Sequence, residues 1–226
     1  MTVDGDWPRD RMQAHIEESA RVTRRLVDVC GDAILRAADA LTETFRAGGK
    51  VLLCGNGGSA ADCQHMAAEF VSRLTADFTR PGLPALALTT DTSFLTAYAN
   101  DCGYDGVFAR QVQALGKPED LLIGISTSGA SANVVHAVRA AQGIGMRTVV
   151  LIGVGGALRE LADIAIAIPS TSTQYVQEAH LMVEHILCDI VERQLFGPRA
   201  DAHDARVDVG DAARGTRGDG QGDAGA

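Results

Sequence analysis

The sequence predicts a single doubly wound α/β domain, a parallel sheet flanked by helices, with an N-terminal helical arm and a disordered C-terminal tail. Three observations predict it. Short, almost continuously apolar runs such as "KVLLCG", "EDLLIGIS" and "MRTVVLIGV" alternate with segments of helical length, the pattern of strands buried on both faces. Ahead of the first run, from about Arg9 to Ala47, apolar residues including Ile16, Val22, Leu26, Ile34, Leu41 and Phe45 recur near helical spacing. From Gly197 on, "GPRADAHDARVDVGDAARGTRGDGQGDAGA" is rich in Gly, Asp, Ala and Arg and holds almost nothing to bury.

In chain order, residues 1–8 read as disordered and 9–48 as the arm, with Gly31 expected to divide it into two helices and "AGGK" to end it. Residues 49–196 form the core domain, one unit with the arm, and 197–226 the tail. Within the core, "KVLLCG" is a strand stopped by glycine and "SAADCQHMAAEFVSRL" the helix after it. "PALAL" reads as a strand, and "DTSFLTAYAN" and "DGVFARQVQAL" as helices. The strand "EDLLIGIS" leads to a helix over "SANVVHAVRAAQGIG", and "MRTVVLIGV" and "ADIAIAI" are the last strands. A long helix from about Thr173 to Phe196 closes the domain.

Bulk properties narrow the function. A chain of 226 residues with 46% hydrophobic content buries one sizeable core. No run approaches the roughly 18 apolar residues of a membrane span, and "MTVDGDWPRDRMQ" lacks the basic start and apolar stretch of a signal peptide. Five scattered cysteines without a C-x-x-C pair point to reduced thiols and a cytoplasmic protein. A formal charge of −9 with no basic stripe argues against nucleic acid as a partner.

Two strand-to-helix turns are rich in glycine and hydroxyls: Gly55-Asn56-Gly57-Gly58-Ser59 and Ser126-Thr127-Ser128-Gly129-Ala130-Ser131. Such a turn often only redirects the chain or caps a helix. Two at equivalent places, where backbone N–H groups and hydroxyls converge beyond the strands, favour an anion. Gly55, Gly57 and Ala60 satisfy the dinucleotide spacing, but the acidic residue about 20 positions on, Asp77, falls in a polar stretch before the next apolar run. There is no Walker lysine, and "GISTSG" is not a nucleophile elbow.

His65 and Glu69, four apart on the helix after the first turn, project from one face. They suit metal chelation or acid–base work, or form a plain intrahelical pair. The last helix carries Gln177, Glu178, His180, Glu184 and His185 in an otherwise apolar setting, where unpaired polar groups are costly. His180 with Glu184 can be read as an i,i+4 surface pair. Gln177 and His185, eight apart, differ by about 12 Å of rise and 80° of turn. Both reach one small ion only through extended side chains, a helix irregularity or a second subunit.

Taken together, "CGNGGSAADCQHMAAEF", "ALTTDTSFLTAYANDCGYDGVFARQV", "DLLIGISTSGASANVVHAVRAAQGIGM" and "VQEAHLMVEHILCDIVE" resemble the phosphoheptose isomerases. These are sugar-isomerase (SIS) domain proteins that convert sedoheptulose 7-phosphate into D-glycero-D-manno-heptose 7-phosphate, the first step of activated heptose biosynthesis. The resemblance spans about residues 10–196. It implies substrate contacts from Asn56, Gly57, Gly58, Ser59, Asn100, Asp101 and Gln177, and a phosphate site of Ser126, Thr127, Ser128 and Ser131. It implies Glu69 as general base with His185 as partner acid, and His65, Glu69, Gln177 and His185 as ligands of one zinc ion per subunit. It also implies a homotetramer with active sites at subunit interfaces. Gln174 stands where the family often has Asp, and "GVGGALREL" is less polar than is common there. Two other readings share the fold: a non-catalytic SIS adaptor that binds the replication initiator, and an isomerase of another phosphosugar. Glu69 and His185, positions lost in the adaptors, are retained.

Overall fold

The computed structural model describes residues 6–76 and 79–197. Residues 1–5, Asp77, Phe78 and the tail beyond Gly197 lie outside the described residues.

The arm forms two helices, α1 (Trp7–Arg24) and α2 (Leu26–Arg46). α1 begins two residues ahead of the expected boundary, because Pro8 sits in its first turn, where its missing N–H is not needed. The division falls at Arg25 and not at Gly31. There the Arg25 N–H donates to the Val22 carbonyl, a tightened turn, at 3.2 Å. Gly31 stays inside α2, and a Cβ built on it would meet nothing within 4 Å. It is a tolerated helix glycine with a propensity cost of about 1 kcal/mol.

The core follows as β1 (Val51–Gly55), α3 (Gly58–Val71), β2 (Ala85–Ala87), α4 (Thr92–Cys102) and, after a 3-10 turn at Tyr104–Gly106, α5 (Val107–Leu115). β3 (Leu121–Ser126), α6 (Ala132–Ile144), β4 (Arg147–Ile152), α7 (Leu158–Leu161), β5 (Ile164–Ala167) and α8 (Thr173–Phe196) complete it. All strand pairs are parallel, in the order β2-β1-β3-β4-β5. The doubly wound reading therefore holds. α7 is the one helix that the apolar pattern did not signal, a single turn within "GVGGALREL".

Alternation along β1 divides the core into two halves. Val51 and Leu53 pack with α2, α3 and α8 on one face, while Leu52 and Cys54 pack with α5 and α6 on the other. β1 and β3 are buried along their whole length. One carboxylate fixes where both strands begin. Asp120, 3% exposed, accepts the backbone N–H of Lys50 at 2.9 Å and of Lys117 at 2.8 Å. It also takes the Lys50 ammonium at 2.5 Å. Among the described residues no helix is long and apolar enough to cross a membrane.

Replacing Asp120 by Ala orphans two backbone donors and an ammonium at once. The expected cost is about 2–4 kcal/mol of stability by urea unfolding, with no change in secondary structure before the transition.

Candidate active site

Strand order reverses between β1 and β3, so their carboxyl ends flank the crevice where open parallel sheets bind ligands. Gly55 stands beside Ile125 in the register, which brings the two hydroxyl- and glycine-rich turns side by side. A reciprocal amide pair joins them. Asn56 Nδ2 donates to Asn133 Oδ1 at 2.9 Å, and Asn133 Nδ2 donates to Asn56 Oδ1 at 2.8 Å. The Tyr104 hydroxyl adds a third bond to Asn56 Oδ1 at 3.2 Å. Neither Asn133 nor Tyr104 stands out in the sequence, since their relation to Asn56 exists only once β1 and β3 are paired.

The second turn is a cradle of hydroxyls. Ser126 Oγ lies 2.9 Å from Ser131 Oγ and 3.4 Å from Ser128 Oγ, with Thr127 between them in sequence. Ser131 is the N-cap of α6, yet its side chain makes no capping bond. The Val134 N–H donates to Asn133 Oδ1 at 3.0 Å, which leaves the N–H groups of Ala132 and Asn133 beside the hydroxyls as donors suited to a dianionic phosphate. Gly129 holds φ +65°, and a Cβ there would overlap the Gly155 carbonyl, so the turn needs glycine. Across the crevice Ser59 is buried, and α3 likewise starts without a side-chain cap at Gly57.

α3 and α8 lie side by side and carry the residues expected to act as acid and base. His65 Nε2 and His185 Nε2 are 2.8 Å apart, with the rings edge to face. Glu69 Oε1 is 3.8 Å from His65 Nε2, and its side chain is 20% exposed. Gln177 meets α3 earlier, at Gly58, where an added Cβ would fall inside the Gln177 carboxamide. Thus Gln177 and His185 touch α3 seven residues apart, about 10 Å of rise. The spacing concern raised by the sequence persists within one chain. Two imidazoles, a carboxylate and an amide oxygen are nonetheless a donor set that zinc accepts, and the two Nε2 atoms already face one another. In donor chemistry the residues fit the ion. Among the described residues no three His, Cys, Asp or Glu side chains close on one point.

Asn100 and Asp101 are exposed at the end of α4 and bond to each other, Asn100 Nδ2 to Asp101 Oδ1 at 2.8 Å. Gln174 is exposed in the first turn of α8.

His180 and Glu184 are not a surface pair. Both are 0% exposed, on the stripe of α8 that also carries Val176, Leu187 and Val191. Their i,i+4 spacing is that of a helix face, and spacing alone does not say which face is covered. His180 lies against the backbone of Ile152, with neither ring nitrogen in a hydrogen bond, and burial lowers its pKa to about 4. Glu184 has both carboxyl oxygens unpaired, and burial, reinforced by the Asp62 carboxylate, raises its pKa to about 9. Asp62, one turn before His65, is itself raised to about 6 by burial, partly offset by the His65 ring.

A parallel sheet with hydroxyl- and glycine-rich turns at its switch point, and a His65–His185 pair on the two helices beside it, is the architecture of the sugar-isomerase class. Residues 14–153 match the SIS domain family. The chain belongs, within it, to the phosphoheptose isomerases. It is 54% identical over 191 residues to the phosphoheptose isomerase of Roseiflexus sp. (strain RS-1), covering 84% of this chain and 94% of that protein. The solved phosphoheptose isomerase of Neisseria gonorrhoeae superimposes with a TM-score of 0.76 at 41% identity, over 81% of this chain and 98% of that one. That of Francisella tularensis gives a TM-score of 0.78 at 37% identity, over 81% and 97%.

The Glu184 carboxyl keeps its proton to about pH 9 when folded but releases it near 4.5 when unfolded. Its contribution to stability is therefore complete below the unfolded pKa and is lost as pH rises toward the folded one. Glu184→Leu is expected to flatten the decline in melting temperature between about pH 5 and 9. A variant whose alkaline decline matches the parent would refute this.

Proposed function

We propose that the chain is the aldose–ketose isomerase that interconverts D-sedoheptulose 7-phosphate and D-glycero-D-manno-heptose 7-phosphate, opening activated heptose biosynthesis in the cytoplasm. The observation that carries the reading is the placement of Glu69 and the His65–His185 pair on the two helices beside a hydroxyl-lined, uncapped helix N-terminus. Membership of the phosphoheptose isomerases supports the substrate.

The reaction moves a proton between C1 and C2 through a cis-enediol. Ser126, Thr127, Ser128 and Ser131, with the N–H groups of Ala132 and Asn133, hold the terminal phosphate. That remote contact fixes the reacting carbons against the base and so lowers the entropic part of the barrier. Asn56, Gly57, Gly58 and Ser59 form the opposite wall, and Gln177, Asn100 and Asp101 bond the sugar hydroxyls. Glu69 takes the proton from one carbon and returns it to its neighbour. His185 moves the hydroxyl proton between the two oxygens. His65, Glu69, Gln177 and His185 would hold zinc, which when bound supplies polarisation of the substrate oxygens.

A homotetramer with sites at subunit interfaces fits the apolar surface left on the arm and α8. Met12 and Ile16 are 58% and 59% exposed, and Leu181 and Met182 are 37% and 43% exposed. Light scattering of the purified chain is expected to return four subunits.

Glu69→Gln is expected to abolish turnover, by at least about 10³-fold, while isothermal titration still detects the ketose phosphate. A variant that keeps most of its kcat removes Glu69 as base. In deuterated buffer the product is expected to carry solvent deuterium, whereas complete retention at both carbons would mean a hydride shift. Chelation is expected to stop turnover reversibly on zinc addition with unchanged circular dichroism. Pull-down of the replication initiator by a chain with no isomerase activity on any ketose phosphate would favour the adaptor reading instead.

A further inference from the structure

The ion pair between Arg80 and Glu192 is buried, with side chains 0% and 2% exposed, at the end of α3 that carries Glu69. Arg80 Nη2 donates to the Glu69 carbonyl at 2.7 Å, and Nη1 donates to the carbonyls of Phe70 at 2.7 Å and Pro81 at 3.0 Å. Arg80 Nε donates to Glu192 Oε1 at 2.7 Å, and Nη2 lies 2.6 Å from the same oxygen. Glu192 Oε1 also accepts the Leu74 N–H at 2.9 Å. Each guanidinium nitrogen thus has a partner, which lysine's point charge could not reproduce.

The pair joins three pieces of chain. The carbonyls of Glu69 and Phe70 are among those a helix leaves open at its C-terminal end, where a cation is favoured. Glu192 sits on α8 roughly two turns beyond His185 and on the same side of the helix. Leu74, through its N–H, and Arg80, through its guanidinium, bridge the two helices. Cys188 is buried on α8 between His185 and Glu192, and Arg80 bonds the backbone of Glu69 itself, so base and clamp are directly joined. The cost of desolvating such a pair makes it a poor device for stability alone.

We propose that Arg80 and Glu192 are positioning residues for the reaction. They lock the last turn of α3, and with it the Glu69 carboxylate, in register with the turn of α8 that carries His185. The proposal rests on Glu69 acting as the base. An unclamped α3 end would let the carboxylate drift from its near-attack position, and a drift near 1 Å costs about 100-fold in rate.

The test is the double variant Arg80→Met/Glu192→Leu, which keeps volume and leaves no orphaned charge, alongside Arg80→Lys. Each is assayed below its own melting transition with sedoheptulose 7-phosphate. The double variant is expected to lose about 10- to 100-fold in kcat with KM within about threefold of the parent, because phosphate anchoring at α6 is untouched. Arg80→Lys is expected to fall between the two. Where the double variant does not fold, Arg80→Lys decides alone. A folded variant with kcat within about twofold of the parent overturns the proposal. A parent chain inactive on every phosphosugar instead overturns the isomerase reading beneath it.

Discussion

The proposed chemistry depends on one packing contact, the side-by-side run of α3 and α8 in the same direction. Gln177 meets the start of α3 at Gly58, His185 meets its middle at His65, and Glu192 reaches its end through Arg80. These contacts recur at roughly two-turn intervals along α8, and at about two turns and then one along α3, so a slide of one helix disturbs all of them together. Glycine at 58 is what permits the first contact, since any side chain would occupy the space of the Gln177 amide. The helices pack on β1 and on the sheet behind it, which sets the acid–base groups at a fixed height above the crevice.

The phosphate cradle belongs to a separate mechanical unit. It is built from the β3–α6 turn on the sheet and is linked to the β1–α3 turn through the Asn56–Asn133 pair. In the proposed reaction one unit anchors the substrate and the other does chemistry, and the amide pair holds the two turns together. That division is what an enzyme acting on a long, flexible phosphosugar needs. Binding free energy gained at one end is expressed as orientation at the other.

Local patterns were legible in the sequence, while pairings across the chain were not. The strands, both hydroxyl-rich turns and the limits of α8 follow from short-range chemistry, namely apolar runs, glycine stops and helix periodicity. His65 and Glu69 were legible as a pair because four residues on one helix define a face. The same rule failed for His180 and Glu184, where the face proved to be the one turned inward. Arg80 and Glu192, 112 residues apart in sequence, gave no local signal at all. The Asn56–Asn133 bond escaped notice for the same reason. The break at Arg25 was masked by Gly31, a stronger breaker by propensity that the helix simply absorbs.

The two buried carboxylates of α8 show how burial acquires different meanings. Glu192 faces a guanidinium and a backbone N–H, so its charge is matched and its geometry is fixed. Glu184 faces an acid and no donor, and so it persists as a neutral carboxyl. Both sit on the inner side of one helix, two turns apart, and an apolar residue would satisfy either position by burial alone. A charge retained with every partner in place constrains orientation, because each hydrogen bond fails with a small displacement. A carboxyl retained with no partner constrains nothing. Of the two, Glu192 is therefore the one whose removal should register in the geometry of catalysis, and Glu184 the one whose removal should register in stability.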